Sequence, residues 1–400
     1  MNKLTARRLA ILGGEPAFKE PLHVGRPNIG NRVSFLGYVN TIFDNRWLTN
    51  HGPLVQQFEQ ELSGLLGVKH CITVCNATVG LEIAIRALGL AGEVIVPSFT
   101  FVATAHALQW QGITQVFCDI DPLTHNLDPG CVESLITPCT TGILGVHLWG
   151  RQCAVEALQE IATARNLKLL FDAAHAFGCT HKGTMIGNFG DAEVFGFHAT
   201  KFFNTFEGGA IATNDDELAA RIRLMVDFGF TDYDRVDSIG TNGKMSEASA
   251  AMGLTNLPSM GEFIRANRRN YRQYQREIAT IPGLSLIQYD ESEKCNFQYI
   301  VVEVDANITG VHRDVLVHVL HAENVLARRY FWPGCHRMEP YRTLYPDAHR
   351  HFPHTEQVAE WVLALPTGAT IGEREIETVC DILRVAIANA DTLRRQLTAG

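Results

Sequence analysis

Six short runs of apolar, mostly β-branched residues between positions 70 and 197 constrain this chain more than any other feature. They are HCITVC, EVIVP, ITQVFCDI, TGILGVHL, LKLLFD and AEVFGF, and segments of ten to fifteen helix-forming residues separate most of them. Runs without hydrophobic alternation belong to strands buried on both faces. The pattern therefore predicts an α/β fold: a mostly parallel sheet, covered by helices on both sides and joined by right-handed crossovers.

Ligands of such sheets bind beyond the carboxyl ends of the strands, so the residues that follow each run are the candidates for function. After HCITVC come Asn76, Ala77 and Thr78, which open the helix TVGLEIAIRAL. Small residues at a helix N-terminus suit an anion, although Asn76 also serves as an ordinary cap. After EVIVP comes Phe101, whose ring can stack on a flat cofactor or join the core. His147 and Trp149 follow ILGV and read as structural. LKLLFD ends in Asp172, with His175 three residues on; both side chains share a face if the chain turns helical there. FGFHATK ends in Lys201, and Gly208 and Gly209 suit a tight turn into the strand AIAT.

A carboxylate at one strand end and a lysine past another, about thirty positions apart, match the needs of pyridoxal phosphate chemistry. The lysine forms a Schiff base, and the carboxylate pairs with the pyridinium nitrogen. No HExxH, paired CxxC or GxSxG is present, so zinc hydrolysis and serine-esterase chemistry have no starting point, and no metal is expected.

At 400 residues the chain exceeds the size of a single core. Composition changes near Pro258, giving a large domain over 1–257 with an irregular N-terminal arm and a smaller α+β domain over 258–400. The arginines Arg265, Arg268, Arg269 and Arg272 read as a solvated helix face that could also hold a diphosphate. In the loop ARRYFWPGCHRMEPYR, Arg328, Tyr330, Trp332 and His336 are candidate substrate contacts. The ten cysteines form no CxxC pair and read as reduced, mostly buried thiols of a cytoplasmic protein without a cleavable leader. A net charge of −9, with no long basic run and no apolar stretch of membrane length, argues against nucleic acid and membrane partners.

Together WLTNHGPLVQQFE, NAT, PSFTFVATAHAL, DIDPLTHNLDP, VHLWG, FDAAHAFG, FHATK, EGG, GTNGKMSEASAAMG, RRYFWPGCH and LPT resemble, in order, the DegT/StrS group of pyridoxal phosphate sugar aminotransferases. The resemblance implies fold type I and pyridoxal 5'-phosphate as cofactor. It implies that Ala77 and Thr78 bind the phosphate, Phe101 stacks on the ring, Asp172 pairs with its nitrogen, His175 sits beside it and Lys201 is the Schiff-base lysine. Asn242 would reach the phosphate of a neighbouring subunit, in a homodimer with shared active sites. Gly196 stands where the family usually has serine, so one phosphate hydrogen bond is missing, which costs about 1.5 to 3 kcal/mol unless water or a neighbouring hydroxyl replaces it.

The arm EPLHVGRPNIG, the turn RWLTNHGP and the loop ARRYFWPGCHRMEPYR look most like enzymes that aminate carbon 4 of a dTDP-4-keto-6-deoxyhexose with L-glutamate. Thr49, Asn50, Tyr330 and His336 would then grip the dTDP-sugar. Amination at carbon 3 shares every cofactor motif, and a catalytically silent regulatory homologue would keep the fold. Sugar 3-dehydratases carry histidine where this chain has Lys201.

Overall fold

The computed structural model describes residues 9–397. Its centre is a seven-stranded sheet. The strands are β2 (His70–Val74), β3 (Glu93–Pro97), β4 (Thr114–Cys118), β5 (Thr140–Val146), β6 (Lys168–Asp172), β9 (Ala192–Gly196) and β10 (Gly209–Thr213), in the spatial order β2-β10-β9-β6-β5-β3-β4. All neighbours are parallel except β10, which runs antiparallel to both β2 and β9. The middle strands are buried along nearly their whole length, which is why their sequences are continuous apolar runs rather than alternating ones.

Helices α1 (Arg32–Asn45) and α2 (Pro53–Leu66) precede the sheet, and α3 (Ala77–Ala87), α4 (Val102–Gln109), α5 (Pro129–Ser134), α6 (Val155–Arg165), α7 (Asp216–Val226) and α8 (Glu247–Asn256) connect or follow its strands. One face packs on α3, α4 and α7, through residues such as Leu81, Ala105 and Leu218. The other face packs on α5 and α6 through Val132 and Leu158, and on α2 and α8 through Phe58 and Ala250. Pro at the first turn of α2 and Gly67 in the left-handed conformation after it bound that helix at both ends.

The 3-10 turn Leu257–Ser259 leads from α8 into the long helix α9 (Met260–Ile278). Beyond it, β13 (Leu284–Leu286), β14 (Ile300–Val304) and β16 (Val362–Leu365) form a three-stranded antiparallel sheet in the order β13-β14-β16. Two hairpins, β7 (Thr180–His181) with β8 (Thr184–Met185) and β11 (Phe230–Asp232) with β12 (Arg235–Val236), decorate the large sheet's connections.

The N-terminal arm keeps different company from that expected. Strand β1 (Leu22–His23) pairs in parallel with β15 (Val325–Leu326), and the amides of Ala10 and Ala17 donate to the Glu323 carboxylate at 2.8 and 2.6 Å. A two-residue strand has no period to read, so its partner was invisible in sequence. We propose the domain boundary at the 257/258 turn, with residues 9–23 adding to the second domain rather than the first. Among the described residues, no helix is long and apolar enough to cross a membrane.

Candidate active site

The carboxyl ends of β2, β3, β6 and β9 open on a cavity of about 710 Å³, closed from the other side by the arm and by the loop after β15. Its wall includes Ala77, Thr78, Phe101, Asp172, His175, Gly196, Lys201, Arg328 and Tyr330. This is the size and position in which α/β proteins hold a cofactor.

Asp172 ends β6 and is 7 % exposed. One carboxylate oxygen accepts from the Thr104 hydroxyl at 2.8 Å, the other from the Ala174 amide at 3.1 Å. Burial pushes its pKa up, and those two donors together with Lys201 and His147 pull it back. Among the described residues, none forms an ion pair with it. A buried carboxylate with two neutral donors is suited to pair with a cation placed in the cavity.

The segment after Asp172 does not turn helical. Two turns follow, closed by Ala176 N–H to Ala173 O at 2.9 Å and Cys179 N–H to Ala176 O at 3.0 Å. His175 nevertheless reaches the wall, because its Nδ1 accepts from the Trp149 amide at 3.3 Å and its ring lies nearly parallel to that of Trp149, 6.0 Å away. Burial drives its pKa well below the ordinary value, so it is neutral. Trp149 and His147 are themselves structural: His147 is buried against Glu193 at 2.8 Å.

Lys201 lies in the turn after β9, five residues past the strand end. Its amine donates to the Tyr299 hydroxyl at 3.0 Å. The side chain as a whole is partly exposed, but the crowding around its amine lowers the pKa to about 8, against the opposing pull of Asp172 and Tyr330. A lysine held there reaches its free base at mildly alkaline pH, well below an ordinary lysine, as a nucleophile and proton carrier requires.

Beneath these groups lies a backbone cradle. Asn76 caps α3 by accepting from the Val79 amide at 2.9 Å, leaving the N–H groups of Ala77 and Thr78 in the first turn. The glycines around it are there for room, not for a left-handed turn. A Cβ on Gly209 would sit 2.7 Å from Phe195 O and 2.9 Å from Ala77 N; one on Gly208 would strike the Thr205 hydroxyl. At Gly196 a Cβ would meet those of Ala174 and Ala77, each at 3.2 Å. A serine there would crowd the first residue of α3, which gives the departure at Gly196 a local reason.

Phe101, just before α4, presents a ring that is 55 % exposed on the cavity wall. Tyr330 and Arg328 also reach the cavity, the guanidinium lying over the Tyr330 ring at 5.4 Å. His336 does not. It is buried, its Nδ1 2.5 Å from the Ser98 hydroxyl and its Nε2 2.6 Å from Glu356, so it fastens the loop to the end of β3. Thr49 and Asn50 are exposed and take no part in this chain's own cavity. Their turn is held outward by Glu247, which donates its amide to Leu48 O and accepts from the amides of Leu54 and Val55. Asn242 is likewise exposed, bridged to Asp227 and away from the cavity. Arg268 and Arg272 pair with Glu291 at 2.6 and 2.7 Å, and Arg269 donates to Ile371 O, so that helix face binds protein rather than ligand. Thr104, Gln298 and Tyr299 went unnoticed in sequence; Thr104 lies in an ordinary helix, Gln298 and Tyr299 in the irregular segment just before β14, and each gains its role only from the packing of distant elements.

A family model described as the DegT/DnrJ/EryC1/StrS aminotransferase family matches residues 31–384. The chain is 37 % identical to a dTDP-4-amino-4,6-dideoxy-D-glucose transaminase of Shigella dysenteriae, over 92 % of this chain and 99 % of that one. It is 35 % identical to a GDP-perosamine synthase of Caulobacter vibrioides, over 86 % and 92 %. The crystal structure of DesI in the presence of its TDP-sugar product superposes with a TM-score of 0.92 at 50 % identity, covering 98 % of each chain. Pyridoxal 5'-phosphate is the cofactor, and the cavity fits it: a lysine amine, a buried carboxylate without an ion pair among the described residues, an exposed ring and an open helix N-terminus share one wall. On fold, site and sequence together, this chain belongs to the DegT/DnrJ/EryC1/StrS aminotransferase family and is a pyridoxal phosphate-dependent enzyme of fold type I.

Proposed function

We propose that this enzyme transfers the amino group of L-glutamate to carbon 4 of dTDP-4-keto-6-deoxy-D-glucose, giving dTDP-4-amino-4,6-dideoxy-D-glucose and 2-oxoglutarate. The observation that carries the reading is the placement of Lys201, whose amine donates to the Tyr299 hydroxyl at 3.0 Å, on one cavity wall with the buried carboxylate of Asp172. The name of the Shigella relative, a dTDP-4-amino-4,6-dideoxy-D-glucose transaminase, and the TDP-sugar product of the DesI structure support the substrate class.

In this reading the first turn of α3, at Ala77 and Thr78, holds the cofactor's phosphate, Phe101 covers one ring face and His175 lies beside the ring. Asp172 keeps the ring nitrogen protonated. When bound, the cofactor supplies an electron sink for the ionising bond at the donor's α-carbon. Lys201 Nζ takes that proton and returns it, and Asp172 holds its charge fixed while the proton moves. Tyr330 and Arg328 face the substrate, the arginine being suited to a carboxylate or a diphosphate.

The reading includes a homodimer with shared sites, in the cytoplasm. Helix α1 buries only Ile42 in this chain, while Val33 is 79 % and Phe43 67 % exposed; such a face supports a covered, self-associating surface. Thr49, Asn50 and Asn242 would then act in the partner's cavity, which accounts for their distance from their own. Mixing inactive Lys201→Ala chains with a strongly impaired Asn242→Ala variant is expected to restore activity through hybrid dimers. No recovery despite demonstrated subunit exchange would remove Asn242 from the partner's site.

The regiochemistry is tested by offering the 4-keto and 3-keto isomers of the dTDP-sugar with glutamate. The 4-keto isomer is expected to react with a much higher kcat/KM and to yield an equatorial amine at carbon 4, read from proton couplings. Preferential use of the 3-keto isomer, or an axial amine, contradicts this assignment while leaving the aminotransferase intact.

A further inference from the structure

The segment Asn296–Tyr299, which leads into β14 of the second sheet, touches both halves of the active site. The Asn296 carboxamide donates to His175 O at 2.8 Å and to Phe177 O at 3.1 Å, on the loop after Asp172. Gln298 Oε1 accepts from the Phe202 amide at 3.0 Å, one residue past the active lysine. Tyr299 Oη accepts from Lys201 Nζ, also at 3.0 Å. The segment is itself secured: Asn267 of α9 donates to Asn296 O at 3.0 Å, and the Tyr289 hydroxyl donates to Tyr299 O at 2.9 Å. The Tyr299 ring is wedged between His175, 4.5 Å away, and Trp149, 5.3 Å away.

We propose that Tyr299 is a catalytic residue of the aminotransferase reaction: its hydroxyl is the resting point of the Lys201 amine whenever that nitrogen is not bonded to the cofactor. The role rests on the assignment of Lys201 made above. A phenol suits it, because its oxygen accepts from an ammonium and its O–H donates to the lone pair of a neutral amine. The contact therefore survives both the gain and the loss of the proton that Nζ carries. Burial raises the phenol's own pKa, so Tyr299 stays protonated throughout and the proton taken from the donor carbon remains on Nζ. Fixing the amine at one point also holds it within reach of that carbon, an orientational gain that a freely rotating lysine loses.

Because the ammonium contact is charge-assisted, it is stronger than the contact to the neutral amine and favours protonated Lys201 against the effect of burial. Removing the phenol oxygen should therefore lower the lysine's pKa further. Among the described residues, the other titratable groups on the surrounding wall are His23, Asp172, His175, His198, Glu207, Arg328 and Tyr330, and the substitution leaves them all in place.

Tyr299→Phe keeps the ring and removes the oxygen. In the cofactor-free full-length chain, acetic anhydride labelling across pH, read by mass spectrometry on the Lys201 peptide, is expected to titrate near 8 in the wild type. In the variant the midpoint should fall by about one unit. The single-turnover half-reaction with L-glutamate should slow by about ten- to a hundredfold, with its rising limb moved to lower pH. A Lys201 titration and a half-reaction profile that both coincide with those of the wild type would reduce Tyr299 to a packing residue. Borohydride reduction of the wild-type holoenzyme separates the two claims. An adduct on another lysine overturns the Lys201 assignment and this role with it, whereas a Lys201 adduct with unshifted profiles overturns Tyr299 alone.

Discussion

Lys201→Ala is expected to abolish turnover, with a loss of at least about 10⁴-fold, while the chain still folds. Among the described residues, the amine is the one lysine nitrogen on the cavity wall, and its hydrogen bond to Tyr299 crosses between the two sheets' segments. Its loss removes both the covalent anchor of the cofactor and the proton carrier, so no partial rescue by a neighbour is expected. Lys182 and Lys244 cannot substitute: Lys182 pairs with Glu156 at 2.6 Å, and Lys244 with Asp227 at 2.5 Å, both away from the cavity. Borohydride reduction of the wild type followed by peptide mapping should place the cofactor's mass on the peptide containing Lys201. Unchanged turnover in the variant, or labelling elsewhere, would contradict the assignment.

Asp172→Asn is expected to slow the half-reaction with glutamate by about 10²- to 10³-fold, with little loss of folding stability. The carboxamide is nearly the same shape: its oxygen can accept from the Ala174 amide, which donates to the native carboxylate at 3.1 Å, and its NH2 can donate to the Thr104 hydroxyl, which can turn to accept and donate instead to Thr100. What disappears is the negative charge facing the cavity, and with it the protonated state of the ring nitrogen that makes the cofactor an electron sink. Folding should not suffer, because the native carboxylate is buried without an ion pair among the described residues and its removal relieves a desolvation cost. Rapid-mixing absorbance with glutamate separates the outcomes. Near-wild-type rates would show that Asp172 is a structural cap holding the turn that follows it.

The sheet was legible because its strands are buried on both faces, so that VIVP and KLLF stand out as unbroken apolar runs. Asp172, Phe101 and Ala77 were legible for the same reason: each comes just after a recognisable strand, where α/β sheets collect ligands. Direction of side chains was not. His336 and Tyr330 share one polar, aromatic loop, yet one is drawn into the core by Ser98 and Glu356 and the other faces the cavity. Nothing in their local sequence distinguishes them, because the distinguishing partners lie some 20 and 238 positions away.

Glycine was misread in a similar way. Gly208 and Gly209 look like turn residues, but the structure needs them because strand β10 passes against Thr205, Phe195 and the start of α3 too closely for a side chain. A close approach between distant segments leaves the same mark in sequence as a turn. Tyr299 and Gln298 left no mark at all, since FQYIVVEV reads as a plain edge of a strand. Their roles arise only when the second sheet docks beside the loop that carries Lys201.

The central claim, that nitrogen passes from glutamate through this cavity to carbon 4 of the sugar, is tested most directly with ¹⁵N-labelled L-glutamate. The holoenzyme is incubated with it and with ¹³C-enriched dTDP-4-keto-6-deoxy-D-glucose, and the product is examined by NMR. A one-bond ¹³C–¹⁵N coupling is expected at carbon 4 of the sugar, with 2-oxoglutarate formed in equal amount and neither product formed by Lys201→Ala. A coupling at carbon 3, or consumption of glutamate without label in the sugar, would contradict it.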